Sequence, residues 1–162
     1  SMPSLVGSEM FIRDRTYSLA QRIYKTIPVI YGETDATGTL AVRFKGQLNE
    51  NAKMLAYCNE LPEMNHNEIV AWSRHSSSQA LLYLASPFTH PRVRARMNWM
   101  MENVEAGDSW LLECEGESLV ESLLIAAHIT DWVSIALAVM NGIDPSEMTA
   151  IVGLKAHLST LQ

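Results

Sequence analysis

Hydrophobic positions change their spacing repeatedly along the chain, and the changes divide it into alternating helices and strands. Over residues 9–26, Ile12, Tyr17, Leu19 and Ile23 supply the apolar side of an amphipathic helix. Ile27-Pro28-Val29-Ile30-Tyr31-Gly32 is a continuous apolar run ended by glycine, the pattern of a short buried strand. After a loop over 33–38, Thr39 is placed to cap a helix running to about Asn59. Gln79–Ala85 is a second strand, closed by Ser86-Pro87, and Pro91 suits the first turn of a helix over Arg92–Glu102. Ser109–Glu115, centred on Trp110-Leu111-Leu112, is a third strand. Ser118 and Glu121 form a capping box opening a long helix that ends at Gly142, and Asp144-Pro145-Ser146-Glu147 caps a last helix reaching Leu161.

Strands alternating with helices predict an α/β domain on a mainly parallel sheet. Ligands of such sheets bind outside the carboxyl ends of the strands, which places the loops after Gly32 and Ala85 near any site. The 118–142 helix is apolar around most of its circumference, so it is expected to lie between the sheet and a partner, and a homodimer is expected with it. The same run, Leu119 to Met140, contains His128, Thr130, Asp131 and Ser134, which argues against a membrane span.

Composition sharpens this outline. With 162 residues, 48% of them hydrophobic, the chain has enough apolar material for one core. Residues 1–8 are expected to be a tag remnant (Ser1 stands ahead of Met2) and a flexible N-terminus, and 9–162 a single domain. A net charge of −6 argues against nucleic acid as a partner, and obliges an anionic substrate to find helix N-termini, hydroxyls or single Lys and Arg residues. Cys58 and Cys114 lie far apart without metal-ligand spacing and read as reduced core thiols of a cytoplasmic protein. No two histidines stand three or four residues apart with a third ligand near, so metal-free chemistry is expected.

Residues 43–69 are unusually polar for such a chain, and bring together Glu50, Asn51, Lys53, Glu63, Asn65, His66, Asn67 and Glu68. A carboxylate, an imidazole and several amides are what proton transfer at a carbonyl-bearing substrate requires. If the helix from Thr39 is continuous, with Leu40, Phe44, Leu48 and Leu55 on its apolar face, then Arg43, Gln47, Glu50 and Met54 share one flank and Asn51 points to the core. A half-buried carboxylate there would have a raised pKa and act as a base; the plainer alternative is a surface ion pair of Glu50 with Arg43 or Lys53. Asn49 and Asn51 are weak helix formers, and a break at them would put Glu50 on a turn. In Asn65-His66-Asn67 each amide can fix a histidine tautomer or hold a hydroxyl. His75 and His157 have no such surroundings, His90 reads as a helix-start residue and His128 as a packed one. Lys155, among Ile151, Leu154 and Leu158, is an ordinary surface lysine unless its helix packs beside residues 43–69. Ser76-Ser77-Ser78 reads as a polar linker sooner than as an anion-holding nest.

Several strings in this chain resemble the C-terminal half of bifunctional phosphoglucose/phosphomannose isomerases, enzymes built from two sugar isomerase (SIS) domains. They are Ile27 to Gly32, Arg43-Phe-Lys-Gly-Gln-Leu-Asn-Glu-Asn-Ala-Lys53, Leu61-Pro-Glu-Met-Asn-His-Asn-Glu-Ile69, His90 to Arg94, Glu115 to Ser118 and Asp131 to Ser134. The likeness runs in order from about Ile12. It implies a three-layer flavodoxin-like sandwich, no cofactor, and aldose–ketose interconversion of glucose 6-phosphate or mannose 6-phosphate with fructose 6-phosphate. Carried over by position, Glu50 would be the base moving a proton between C1 and C2 through a cis-enediol. His66 would assist ring opening in a site completed by a neighbouring subunit, and Lys155 would act there too. Arg43, Asn51 and Asn65 are the expected substrate-binding residues. This chemistry needs one carboxylate and polar groups for the enediolate oxygens.

One departure stands out. The family's N-terminal SIS domain holds the substrate phosphate with a Ser-x-Ser-Gly-x-Thr loop, and no such string occurs here. An N-terminal SIS domain is therefore expected in the full-length enzyme, and little isomerase activity in the chain alone, because lost phosphate contacts lower turnover as well as affinity. The alternative is a non-catalytic SIS module that senses sugar phosphates or mediates dimerisation. Retention of Glu50, His66 and Lys155 together favours the enzyme.

Overall fold

The computed structural model describes residues 5–74 and 76–161, with side chains from Ile12 onward. Its elements are α1 (Leu5–Ile23), β1 (Ile27–Glu33), α2 (Thr37–Asn51), β2 (Tyr57–Leu61), a 3-10 turn (Glu63–Asn65), α3 (Glu68–Ala71), β3 (Ser76–Ala85), α4 (Pro91–Asn103), β4 (Ala106–Glu113), α5 (Leu119–Asn141) and α6 (Thr149–Leu158). The four strands pair in parallel in the order β2-β1-β3-β4, the first four positions of the flavodoxin-like winding. Alternation along the central strands builds two cores. Ile30, Ala80, Leu82 and Leu84 meet Leu19, Phe44, Leu48, Ile129 and Val133 of α1, α2 and α5. Val29, Tyr31, Leu81 and Tyr83 meet Met64, Val93, Met97 and Met100 on the other face. The expected three-layer α/β sandwich is the fold.

Boundaries differ from the sequence reading where polar side chains compete with the backbone. Helix α1 begins at Leu5, upstream of the expected start, and its Tyr17 is exposed rather than packed. Helix α2 starts at Thr37, not behind a Thr39 cap. The buried Thr37 hydroxyl accepts from Glu33 N (2.8 Å) and donates to Leu84 O (2.7 Å), tying the helix to two strands at once. That closeness needs Gly32, where a Cβ would stand 2.4 Å from the Thr37 carbonyl carbon.

The same helix ends at Asn51, short of Asn59. Asn49 Nδ2 donates to Met54 O (2.7 Å), the amides of Ala52 and Met54 both turn back to Leu48 O, and Lys53 sits at φ 52°. Amide side chains that capture backbone carbonyls stop a helix. The released segment forms β2, an edge strand absent from the sequence reading, and Leu55 is exposed instead of extending the apolar face. The serines at 76–78 are neither linker nor nest: β3 begins at Ser76, and Ser76 pairs with Ala106. His75 lies outside the described residues.

Helix α5 opens as expected, Glu121 N donating to Ser118 Oγ (3.2 Å), and closes on Gly142 at φ 68°. By length and hydropathy it could cross a bilayer, but one face of it, including Ala126, Ile129, Val133 and Leu137, is core against α1 and α2. Its other face exposes Val120, Leu124, Trp132 and Val139. Asp144 accepts from Ser146 N and Oγ (2.8 and 2.7 Å) and caps only this turn; α6 starts later, at Thr149, and ends at Leu158. Cys114 is buried, and burial pushes its thiol up to about 12.

Candidate functional site

A parallel sheet gives the domain two unlike edges, and the chemistry-bearing residues divide between them. Strands end upward at Glu33, Leu61, Ala85 and Glu113. Helix α2 returns from the upper edge, so its last turn, with Glu50, lies at the lower one. Helix α5 descends beside it, as the contacts of Arg43 and Gln47 with Asp131, Asn51 with Ser134 and Asn141 with Ala52 show. Helix α6 therefore starts next to Glu50.

At this lower edge a cleft of about 370 Å³ is lined by Asn49, Glu50, Lys53 and the segment Glu147–Ile151. Lys53 Nζ donates to the backbone carbonyls of Glu50 (2.8 Å) and Glu147 (2.6 Å), stapling the end of α2 to the start of α6. Glu50 is exposed, and it has neither of the ion pairs expected of it, because Arg43 binds Asp131 and Lys53 binds carbonyls. Lys155 stands one turn beyond Ile151 on the helix that walls the cleft, exposed, and is not among the lining residues. No residue of α6 is buried; Ile151, Val152, Leu154 and Leu158 all face outward.

His66 is at the upper edge. It ends the 3-10 turn that follows β2, and its side chain is exposed. The fifteen residues of α2 alone span about 22 Å, so one copy of the chain holds Glu50 and His66 at opposite ends. The two amides beside His66 do not serve the imidazole as expected. Asn67 Oδ1 accepts from Glu68 N (2.6 Å) and caps α3, while Asn65 donates to Met64 Sδ (3.1 Å) and accepts from Arg96 Nη1 (3.4 Å).

The expected substrate-binding residues are likewise engaged inside the domain. Arg43 forks onto both oxygens of Asp131 (2.5 and 3.0 Å), with Gln47 Nε2 adding a third bond (3.0 Å). Asn51 does point inward, donating to Ser134 Oγ (2.8 Å) on α5. These contacts fix α2 against α5 and thereby fix where Glu50 stands. Asn65 also lines an upper-edge cavity of about 460 Å³ with Ile69, Arg92, Ala95, Arg96 and Trp99.

Sequence reasoning passed over one cluster. Tyr31, fully buried on β1, donates its hydroxyl to Glu68 Oε1 and accepts from Trp72 Nε1 (2.8 Å). Asn59 Nδ2 on β2 donates to Glu68 Oε2 (2.6 Å). Burial first, and the Glu68 carboxylate second, raise the Tyr31 phenol well above its ordinary range, so it stays a donor. The one available signal was the carboxylate in Asn-His-Asn-Glu following an apolar strand with a tyrosine. Among the described residues, no group of three or more His, Cys, Asp or Glu gathers to hold a metal.

Comparison with known proteins places this architecture. The family model for the bacterial phospho-glucose isomerase C-terminal SIS domain matches residues 12–158. The chain is 36% identical over 151 residues to a bifunctional phosphoglucose/phosphomannose isomerase of Aquifex aeolicus, covering 91% of this chain and 47% of that one. It is 33% identical over 144 residues to the enzyme of the same name from Thermoplasma acidophilum, covering 88% and 46%. The chain thus spans about half the length of the curated relatives it matches. Among solved structures, a glucose-6-phosphate isomerase like protein from Thermus thermophilus shares the fold, with a TM-score of 0.67 at 15% identity over 82% of this chain and 45% of that one. On its fold and on the match to nearly its whole length, this chain belongs to the bacterial phosphoglucose isomerase C-terminal SIS domain family.

Proposed function

We propose that this chain is the base-bearing half of an aldose–ketose isomerase acting on hexose 6-phosphates. Its support is the lower-edge cleft, where an exposed carboxylate, Glu50, meets the start of the helix that carries Lys155. In that cleft the Glu50 carboxylate takes the proton from C2 of the open-chain aldose and returns it to C1 of the enediol, which needs one base. Lys155 and an imidazole move the ring-hydroxyl proton during ring opening. The imidazole is His66 of a second copy, because one copy holds Glu50 and His66 at opposite edges of its sheet. Phosphate is held by a second SIS domain, for which the half of the curated relatives outside this match leaves room, and binding energy remote from the reacting carbons raises turnover when it is present.

Deuterium transfer tests the reading in the chain itself, where turnover is expected to be slow. Incubated with fructose 6-phosphate in D2O, the chain should place deuterium at C1 of the ketose, and E50Q should not. Incorporation at the same rate in both refutes the assignment of the base. Thermal stabilisation by hexose phosphates without any exchange would point instead to a sugar-phosphate sensor.

A further inference from the structure

The segment that carries His66 is held on both sides of that residue, while His66 itself is exposed. Met64 is fully buried, Asn65 is bound to Arg96 of α4, and Asn67 caps α3. The strongest anchor is Glu68, whose two oxygens accept from Tyr31 of β1 and Asn59 of β2. Asn59 cannot swing away, since its Oδ1 accepts from Glu60 N (2.8 Å), which leaves Nδ2 directed at Glu68. Tyr31 is held in turn by Trp72 Nε1 and by its ring, stacked on Tyr83 with centroids 5.4 Å apart. Asn59, Tyr31 and Tyr83 are register neighbours across three parallel strands, so the carboxylate is fixed to the sheet through two adjacent strands.

We propose that Glu68, gripped by Tyr31 and Asn59, is the positioning residue for His66: it holds the short 3-10 turn and α3 against the sheet so that the imidazole stands out from the upper edge in one orientation, ready to enter the site of a second copy. Among the described residues the half-buried Glu68 carboxylate accepts from two neutral side-chain donors, Tyr31 and Asn59, whereas a mere loop anchor would be served by an apolar contact. Rigid delivery is what a group supplied across a subunit boundary requires, since small displacements of a proton-transfer group cost large factors in rate. This inference rests on the catalytic role proposed for His66.

The test has a physical and a kinetic half. In the chain labelled with 15N-histidine, E68Q should broaden or shift the His66 ring resonances and lower amide protection at 65–69 about tenfold, with the other histidines unmoved. Unchanged His66 signals and protection would overturn the proposal. In the deuterium assay, E68Q should lower the exchange rate at saturating fructose 6-phosphate about tenfold, leave KM within about twofold, and slow H66A no further. Tyr31→Phe, which removes one donor, should follow the same pattern more weakly, and E68D should recover part of the rate. Should H66A exchange as fast as the parent chain, or the parent chain not exchange at all, the function reading fails and the positioning proposal is judged on the His66 spectra alone. Should H66A be inactive while E68Q is not, the function reading stands and the positioning proposal falls.

Discussion

The two edges of the sheet carry opposite solutions to the placing of a reactive group. At the lower edge Glu50 ends a long helix held rigidly by Arg43, Gln47 and Asn51 against α5, yet the carboxylate itself is exposed over a cleft. At the upper edge His66 rides on a four-residue helix and a single 3-10 turn, too short to be stable by themselves, and the sheet clamps that segment through Glu68. A helix-borne group inherits its position from packing; a loop-borne group needs a dedicated anchor. The polarity of residues 43–69 is accordingly two things: reactive groups at Glu50 and His66, and fastenings at the positions between.

The largest effect that would sharpen this contrast belongs to the lower edge. E50Q keeps the shape of the side chain and removes the base, and should lower proton exchange into fructose 6-phosphate about 10³-fold with little change in melting temperature. Loss of folding in place of loss of exchange would show Glu50 to be a fastening as well.

Separation of the edges makes a second, distinctive expectation. E50Q chains keep His66 and H66A chains keep Glu50, so a symmetric pair formed from one of each contains one intact composite site. Mixed in equal amounts and allowed to exchange subunits, two inactive variants should regain about one quarter of the parent rate, since about half the pairs are mixed and each restores one site of two. No recovery on mixing, with subunit exchange verified, would show that His66 does not complete the site of Glu50 in a second copy, and would break the contrast outright.

How far this was legible beforehand follows the same division. The central strands, α5 with its Ser118 and Gly142 caps, and the parallel α/β layering come directly from apolar runs and cap residues, which act locally. Strand β2 did not, because Tyr57 to Leu61 alternates poorly and was absorbed into a helix that Asn49 stops. The candidate residues were visible as a polar cluster with a family likeness, but their roles as partners were not. Arg43 and Asn51 meet Asp131 and Ser134, more than eighty positions away in sequence, and such pairings depend on the winding of the chain and not on spacing. The Glu68 anchor was hidden for the same reason: Tyr31 lies in a strand whose pattern announces only burial.

Smaller effects separate anchor from filler, and the two stacked tyrosines offer a matched pair. Both are fully buried, on adjacent strands of one face, and burial raises both phenols above their ordinary range. Tyr31→Phe leaves Glu68 Oε1 and Trp72 Nε1 each short of a partner, and should cost about 2 kcal/mol in urea unfolding, in the range for a hydrogen bond to a charged group.

Tyr83→Phe should behave otherwise. Ser109 works against the burial-driven rise of the Tyr83 phenol, yet neither hydroxyl oxygen has a hydrogen-bond partner. An unsatisfied buried hydroxyl already carries its desolvation penalty in the folded state, so deleting it removes a cost while the ring keeps its stacking on Tyr31. The expected change is within about 0.5 kcal/mol of zero, or a small gain, with the His66 resonances undisturbed. Equal losses from the two phenylalanine variants would mean that ring packing, and not the hydroxyl's grip on Glu68, holds the upper edge together; the mount for His66 would then be a product of general burial, and the contrast between the two edges would disappear.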